Sequence, residues 1–257
     1  MSSTNKNPLI RKLDHLFPLG GDELQILESA CSRVVQFRAD QDIVCDGDRP
    51  KACNLLLEGF VCRYKLTAEG KRQIMSFQFP GDIFDAQSLI LEEMDHSISA
   101  ITPCKVALIP HETMLEITET YPRIARALWK DTLVDAAVFR EWMTSIGRRS
   151  SYQRIAHLMC EVLVRLDVVG LAHGHTIEWP FTQTEIGDAL GLSNVHVNRT
   201  LQQLRKAGLI TLANSSLAIH HWDGLKDAGQ FDGRYLHLRP ARSPTGMEGG
   251  APQQMQA

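Results

Sequence analysis

The spacing of apolar positions divides the chain into regions of different structure. Between about Val34 and Pro110, short β-rich runs alternate with turns that contain Gly, Pro and Asp, which predicts an antiparallel sandwich or roll. From His111 onward the apolar positions follow a helical period, and one short helix is predicted earlier, around residues 22–30. Residues 1–8 are polar and are expected to be disordered. The predicted strands lie in the runs RVVQF, NLLLEGFVCRYKL, QIMSFQF and CKVALIP.

A long helix is predicted between Tyr121 and Arg148, and one of its faces has a regular seam. Apolar or small residues recur on this face at alternating spacings of four and three, which is a heptad pattern typical of helices that pair. The alternative is an amphipathic helix that packs only on its own domain. We prefer a helix pair and hence a homodimer. The predicted interface consists of Ala125, Trp129, Thr132, Ala136, Phe139, Met143 and Ile146.

Two short helical patterns lie within FTQTEIGDALGLSNVHVNRTLQQLRKAGLI, residues 181–210. Thr182 followed by Glu185 forms a capping box, which predicts that a helix begins there. Gly191 permits a sharp turn, Ser193 caps the next helix, and Gly208 ends it. Two short helices joined in this way are typical of a helix-turn-helix. The run LITLANSSLAIHHW behind them predicts a hairpin that forms a wing.

The outward face of the second helix has the composition of a DNA-reading surface. Residues 193–212 contain no Asp or Glu, although the net charge of the chain is −3, and they include Arg199, Arg205 and Lys206. An Arg can donate two hydrogen bonds to guanine, and Val195 can contact a thymine methyl. Lys206, Arg205 and the glutamines at 202 and 203 can reach phosphates, and Thr200 is a further candidate for a phosphate contact. The alternative is a basic face that is merely solvated. The candidate DNA-binding residues are Thr182, Gln183, Ser193, Asn194, Val195, His196, Asn198, Arg199, Gln202, Gln203 and Lys206.

Composition narrows the class of protein. The 257 residues suffice for two domains, and 44% hydrophobic with 22% charged residues is ordinary for a globular protein. The six cysteines form no C-x-x-C pair, so neither a zinc site nor an iron–sulfur cluster is predicted. We find no apolar run long enough to cross a membrane and no secretory signal, so we expect a cytoplasmic protein without membrane association.

The order of these parts resembles the Crp/Fnr family of bacterial transcription regulators. The resemblance covers about residues 10–225 and rests on DGDRPKACNLLLEGFVCRYKLTAEGKRQIMSFQFPGDIFD, the long helix, TQTEIGDALGLSNVHVNRTLQQLRKAGLI and the winged hairpin. It implies an α+β fold with a cyclic-nucleotide-binding-like β-roll, which is a double-stranded β-helix, over residues 9–118. A dimerisation helix over 119–148 and a winged helix-turn-helix over 149–225 follow, and a tail over 226–257 is expected to be largely disordered after 239. The implied partners are double-stranded DNA at near-palindromic sites, a second copy of the chain, and RNA polymerase.

Two departures from the family pattern concern the signal. The family's cyclic-AMP binders carry a Glu after the Pro-Gly-Asp turn and later an Arg-Ser pair that holds the phosphate. Ala86 stands at the Glu position here, and His96-Ser97 stands at the Arg-Ser position. The family's oxygen sensors carry an N-terminal cysteine cluster, whereas the first cysteine here is Cys31. We therefore expect no cofactor and leave the effector unidentified.

Two other functions are alternatives to this interpretation. A cyclic-nucleotide-binding signalling module without DNA binding fits the roll but leaves the capped helix-turn-helix unexplained. A cupin-like metalloenzyme needs a close His-x-His inside the barrel, and His96 is the only histidine of residues 34–110. No nucleophile elbow and no phosphate loop occurs in the sequence, so no catalytic residue is predicted and the chain is expected not to be an enzyme.

Overall fold

The computed structural model of the protein describes residues 7–239. A roll of two antiparallel sheets forms its first part, with strand orders β1-β7-β3 and β2-β6-β4-β5. Alternating apolar residues from both sheets, such as Leu56, Val61 and Val106, fill the interior and are completely buried. The strands are β1 (Arg33–Phe37), β2 (Asp42–Val44), β3 (Ala52–Glu58), β4 (Val61–Leu66), β5 (Arg72–Gln78), β6 (Ser97–Ala100) and β7 (Cys104–Pro110).

Helices flank the roll and connect it to a second, smaller sheet with strand order β8-β10-β9. Helix α4 is the long connector of 27 residues, and it begins with Pro122, as expected for a proline in the first turn of a helix. The helices are α1 (Pro8–Leu16), α2 (Gly21–Ser29), α3 (His111–Thr120), α4 (Pro122–Arg148), α5 (Ser151–Val168), α6 (Gln183–Leu190), α7 (Asn194–Lys206) and α8 (Trp222–Gly229). The second sheet contains β8 (Thr176–Glu178), β9 (Ile210–Ala213) and β10 (Ser216–Ile219).

One hydrophobic core runs from the roll into the second half of the chain. The rings of Phe77 in β5 and Phe181 before α6 have centroids 4.3 Å apart. The Nε atom of Arg72 lies 2.8 Å from a carboxylate oxygen of Asp188, and the side-chain amide of Gln73 donates to the carbonyl of Ala189. The β4–β5 hairpin of the roll is therefore docked on the C-terminal end of α6.

The predicted antiparallel roll, the helix near residues 22–30, the long helix and the helix-turn-helix are all present. Helix α1 was not predicted: it begins at Pro8, its cap Asn7 accepts from the backbone of Leu9, and so the disorder expected for residues 1–8 is wrong at positions 7 and 8. Helix α8 crosses the predicted boundary at 225, and a 3-10 turn follows at Gly233–Leu236. The disorder predicted for residues 1–6 and 240–257 concerns positions outside the described residues. No helix within residues 7–239 has the length and apolar character needed to cross a membrane.

Candidate nucleic-acid interface

Local hydrogen bonds fix the ends of α6 and α7. The hydroxyl of Thr182 accepts from the backbone N–H of Glu185, and the Glu185 carboxylate accepts from the backbone of Thr182 at 2.7 Å, so the predicted capping box is formed. Gly191 ends α6 in the left-handed conformation with φ 64°, which side chains with a Cβ rarely adopt. The Ser193 hydroxyl then caps α7 by accepting from the backbone of His196. These residues create the sharp turn between the two helices.

Helix α7 buries one face and exposes the other. Val197, Leu201 and Leu204 are buried and hold the helix on its domain. Val195 is 74% exposed, which is unusual for an apolar side chain that only serves packing. The predicted contact residues on this helix and its cap are all exposed or half-buried: Ser193, Asn194, Val195, His196, Asn198, Arg199, Gln202, Gln203 and Lys206. Thr182 and Gln183 are also exposed, at the start of α6.

Several polar side chains bridge the two helices and the wing. The side-chain amide of Asn198 donates to Gln183 at 3.4 Å, and Gln202 donates to Asn198 at 2.9 Å. The guanidinium of Arg205 donates to the carbonyl of Leu212 in β9. This Arg, which the sequence offered as a further phosphate contact, therefore anchors the wing.

One candidate phosphate contact is excluded by burial. The sequence suggested Thr200 as a contact to the DNA backbone, but this side chain is 1% exposed, and its hydroxyl lies 3.4 Å from that of Ser151 in α5. It therefore belongs to the packing between α5 and α7.

The charges on α7 are free of internal compensation. Within the described residues, neither Arg199 nor Lys206 has a hydrogen bond or an ion pair to another side chain. The segment from 193 to 212 contains no acid that would repel a polyanion. The wing strands β9 and β10 carry no charged side chain, so Arg and Lys on α7 supply the positive charge of this surface.

The positions that would hold a cyclic nucleotide are otherwise engaged. His96 is buried, its Nδ1 lies 2.7 Å from Asp95, and burial lowers its pKa. The Ser97 hydroxyl accepts from the backbone N–H of Asp46 at 3.0 Å. Ala86 offers no carboxylate. None of the three therefore presents a free charged group for a sugar or a phosphate.

An arginine of the roll itself reaches towards the long helix. Arg63 in β4 is 4% exposed; its Nε donates to the carbonyl of Phe84 at 2.8 Å, and its Nη1 pairs with the carboxylate of Asp135 in α4. Nearby, Asp85 accepts two hydrogen bonds of 2.6 Å from Asn54. Burial raises the pKa of Asp85 to about 6 despite these bonds. The sequence signal for this cluster was Arg63 directly after the apolar residues Val61 and Cys62 at the start of β4.

A cavity of about 380 Å³ lies between the roll and α4. Its walls are mostly apolar and include Ile83, Leu128 and Val138, with Arg63 and Asp135 at its polar side. No cluster of three His, Cys, Asp or Glu side chains able to hold a metal ion occurs in residues 7–239. The described thiols are unpaired, and burial raises the pKa of Cys53 to about 12, so this thiol is inert as a metal ligand or nucleophile.

The seam predicted on α4 lies away from the interior. Trp129 and Met143 are 66% and 74% exposed, and Leu133 beside them is 54% exposed. None of the seven seam residues is buried: Ala125, Ala136, Phe139 and Ile146 are half-buried, and Trp129, Thr132 and Met143 are exposed. Ile124 and Ala127, on the opposite face of α4, are completely buried.

Comparison with protein families identifies both parts of the chain. Residues 34–121 match the cyclic nucleotide-binding domain, and residues 153–228 match the Crp-like helix-turn-helix domain. The chain is similar in fold to FixK2 from Bradyrhizobium japonicum, with a TM-score of 0.69 and 24% identity over 76% of this chain and 96% of that one. It is likewise similar in fold to a CRP-family transcriptional regulator from Thermus thermophilus, with a TM-score of 0.62, 21% identity, and coverage of 77% and 97%.

Relatives by sequence carry regulatory names. A probable transcriptional activator of Rhizobium leguminosarum is 25% identical over 70% of this chain and 73% of its own length. The nitrogen fixation regulation protein FixK of Bradyrhizobium diazoefficiens is 27% identical over 73% of this chain and 78% of its own length. With both domain matches in the family's order, the chain belongs to the Crp/Fnr family of transcription regulators, whose members are DNA-binding proteins rather than enzymes.

Proposed function

We propose that the protein binds near-palindromic double-stranded DNA as a homodimer and reads each half-site with α7. The observation that carries this proposal is the exposed face of α7. It contains no acid, and neither its Arg199 nor its Lys206 pairs with another side chain among residues 7–239. A helix of this kind fits the major groove, where its N-terminal half meets base edges. RNA polymerase is the further partner that such a regulator needs in the cytoplasm.

Arg199 and Val195 are the residues we assign to base recognition. Arg199 lies one turn after Val195 on the exposed face, and a guanidinium matches guanine O6 and N7 with two hydrogen bonds. Val195 can accept no hydrogen bond from cytosine, but its exposed methyl groups suit a thymine methyl. The half-site should therefore contain a guanine next to a position that tolerates or prefers thymine.

The remaining polar residues are assigned to the DNA backbone. Lys206 at the end of α7 and Gln203 one turn before it are exposed donors that suit phosphate oxygens. Thr182 at the start of α6 is exposed as well, but its hydroxyl already donates to Glu185, so it would meet the DNA backbone only if that bond opened. The wing lacks charge, so we assign it contacts through its backbone and hydroxyl groups rather than charge neutralisation. Most of the salt dependence should then arise from α7.

The exposed apolar face of α4 supports the homodimer. Trp129, Leu133 and Met143 form a larger uncovered apolar surface than a helix that packs only inside its own domain would leave. Small seam residues such as Ala125 and Ala136 allow two α4 helices to approach closely. A symmetric helix pair also matches the two-fold symmetry of a palindromic site.

On this proposal the roll does not bind cyclic AMP as its effector. A cyclic nucleotide needs a carboxylate and an arginine that are free to bind it, whereas Ala86 offers none and Arg63 is already paired with Asp135. Isothermal titration calorimetry with cyclic AMP should give no binding heat at micromolar protein. Micromolar binding would restore the nucleotide-binding signalling module as the better description of the roll.

Selection of bound sequences from a random DNA pool tests the proposal as a whole. The wild-type protein should enrich two inverted half-sites, each with a guanine at one fixed position. Arg199→Ala should lose enrichment at that guanine. Arg199→Lys should retain only part of it, because an ammonium keeps the positive charge but cannot donate two parallel hydrogen bonds as a guanidinium does. Recovery of no preferred sequence from the wild-type protein at low salt would show that the helix-turn-helix does not read DNA.

A further inference from the structure

The C-terminal segment of residues 230–239, which we call the strap, lies outside both family matches. The helix-turn-helix match ends at residue 228, and α1, which the strap reaches, lies before the first match at residue 34. The strap begins where Gln230 adopts a left-handed conformation with φ 48° and turns the chain back from α8. Its position is therefore a feature of this chain that the two shared domains do not account for.

The first half of the strap packs on α5. The ring of Tyr235 stacks on His157 with centroids 5.9 Å apart, and Phe231 meets the same histidine edge-on at 5.1 Å. The Tyr235 hydroxyl donates to a carboxylate oxygen of Glu161 at 2.6 Å. Close approach is possible because α8 ends in Gly229, where a Cβ would lie 2.6 Å from the backbone nitrogen of His157.

The second half crosses to α4 and α1. Glu161 is 1% exposed and also accepts the indole N–H of Trp142 in α4, at 3.1 Å, so it joins the strap to the long helix. Leu236 is buried, and the backbone N–H of Arg239 donates to the carbonyl of His15 at the end of α1. The strap thus starts in the DNA-binding half and ends on elements that belong to the roll side.

Helix α1 is itself held by contacts with the roll, with α4 and with the end of α5. The Lys12 ammonium lies 2.7 Å from Asp82 in the Pro-Gly-Asp turn of the roll and 2.6 Å from Asp131 in α4. The guanidinium of Arg11 donates to the carbonyl of Val169 after α5 at 2.8 Å. A strap that ends on α1 is therefore tied to the roll, to α4 and to the last turn of α5 at once.

We infer that the strap is a positioning element that sets the angle between α4 and the DNA-binding domain, and thereby the half-site spacing that the dimer accepts. This inference rests on the proposed function. If two α4 helices pair about the two-fold axis of the dimer, the distance between the two α7 helices depends on the angle at which each DNA-binding domain is held to its own α4. A domain held at one angle matches one spacing well, whereas a mobile domain accepts several spacings and binds each less tightly.

The strap does not act by covering the DNA-reading face. With the strap in place, Val195 and Arg199 on α7 are exposed, and the strap contacts α5, α4 and α1 instead. Its loss should therefore leave the affinity for one half-site unchanged. This separates a positioning role from inhibition, which would predict tighter binding once the strap is removed.

Fluorescence anisotropy with three kinds of DNA tests the inference. The full chain, a chain ending at residue 230 and Tyr235→Phe are each titrated with a single half-site, with the selected double site, and with double sites lengthened or shortened by one base pair. For the shortened chain we expect about tenfold weaker binding to the selected spacing, a flatter dependence on spacing, and unchanged binding to the single half-site. Tyr235→Phe keeps the ring on His157 but loses the hydroxyl that bonds to Glu161 and lies 3.2 Å from His157 Nε2, so it should weaken binding to the selected spacing by about threefold.

Two controls match these variants. A chain ending at Arg239 removes only residues beyond the strap, and Arg234→Ala changes a strap side chain that is 91% exposed, so both should keep the wild-type spacing profile. A wild-type spacing profile for the folded shortened chain would overturn the inference; if that chain does not fold, the profile of Tyr235→Phe decides in the same way. Equal weakening on the single half-site would also overturn it, because the strap would then support α7 itself. Failure of the full chain to bind any of the DNAs would instead refute the proposed function.

Discussion

Helices α4 and α7 both leave one face uncovered, and the two faces differ in chemistry. The predicted seam of α4 exposes large apolar side chains, with Trp129 and Met143 more than half exposed. On α7 they are polar or cationic, and Val195 is the one large apolar side chain among them. An apolar stripe gains free energy by excluding water against another apolar surface, whereas unpaired cations gain by meeting phosphates. The difference is what the two proposed partners require, a second copy of the chain for α4 and DNA for α7.

The largest expected effect concerns α4. Phe139→Glu places a charge in the proposed seam and should weaken the dimer by several kcal/mol, because a carboxylate loses its hydration there without gaining a partner. Light scattering at micromolar concentration should report a monomer. Thr144→Glu adds the same charge at an exposed position outside the seam and should remain a dimer. If Phe139→Glu is still dimeric, α4 is not the interface and the two uncovered faces need another explanation.

The second effect is a pH dependence of the folding stability, and it arises at the buried His157 in α5. Burial, assisted by Arg149, lowers the pKa of His157 from 6.5 to about 4, although Glu141 at 3.7 Å acts in the opposite direction. The folded protein then binds fewer protons than the unfolded chain between these values, so stability falls as the pH falls through this window. The loss due to this residue should reach about 3 kcal/mol at pH 4.

His157→Gln provides the comparison for this titration. Glutamine does not titrate, so thermal or urea unfolding from pH 7 to pH 4 should show the wild type losing stability relative to the variant. Asp85 has a pKa raised to about 6 and contributes with the opposite sign, but it is present in both proteins and cancels in the difference. A difference that stays constant with pH would mean that His157 has the same pKa in the folded and the unfolded chain, and so is not perturbed by burial.

A third effect concerns base reading by α7. Arg199→Ala should cost about 1–3 kcal/mol per half-site on the preferred sequence and abolish discrimination at the guanine. Anisotropy titrations on the selected site and its single-base variants measure both quantities. The dimer should be unaffected, because Arg199 lies on α7 and is not part of the α4 seam. Full retention of specificity would place the guanine contact on another residue of the face.

The smallest effect is expected at Lys206. Lys206→Ala should weaken binding to all sequences alike and reduce the slope of log affinity against log salt by about one per half-site, as for a single lost phosphate contact. The measurement is a salt titration with the preferred and a scrambled site. Sequence-dependent weakening would exchange the roles assigned to Lys206 and Arg199 and would mean that α7 lies rotated in the groove.

Local signals in the sequence were sufficient to predict the elements that carry the exposed faces of α4 and α7. The capping box at Thr182, the cap at Ser193 and the glycine at 191 act over a few residues, so the helix-turn-helix and its exposed side chains could be predicted. The strands of the roll were predictable from short apolar runs for the same reason. Thr200 was misassigned because its burial depends on α5, which the pattern of α7 alone does not include.

Helix α1 and the strap, which connect the roll side to the DNA-binding half, could not be predicted from local signals. Helix α1 had a signal in Leu9, Leu13 and Leu16, which are spaced for one helical face and are all buried, but its charged residues gave it the character of a polar terminus. The apolar residues of the strap follow neither the helical period nor the alternation of a strand. Its order comes from contacts with residues more than seventy positions away, such as Tyr235 with Glu161, and no local pattern encodes them.

The stripe on α4 also bears on how long a newly made chain survives. On the proposed pairing, a chain that has not yet met its copy carries Trp129, Leu133 and Met143 in contact with water. Such surfaces are what chaperones and proteases recognise, and the population of unpaired chains rises as the total concentration falls. Turnover in the cell should therefore be fastest when the protein is scarce, which sharpens the threshold of expression above which a stable pool of regulator accumulates.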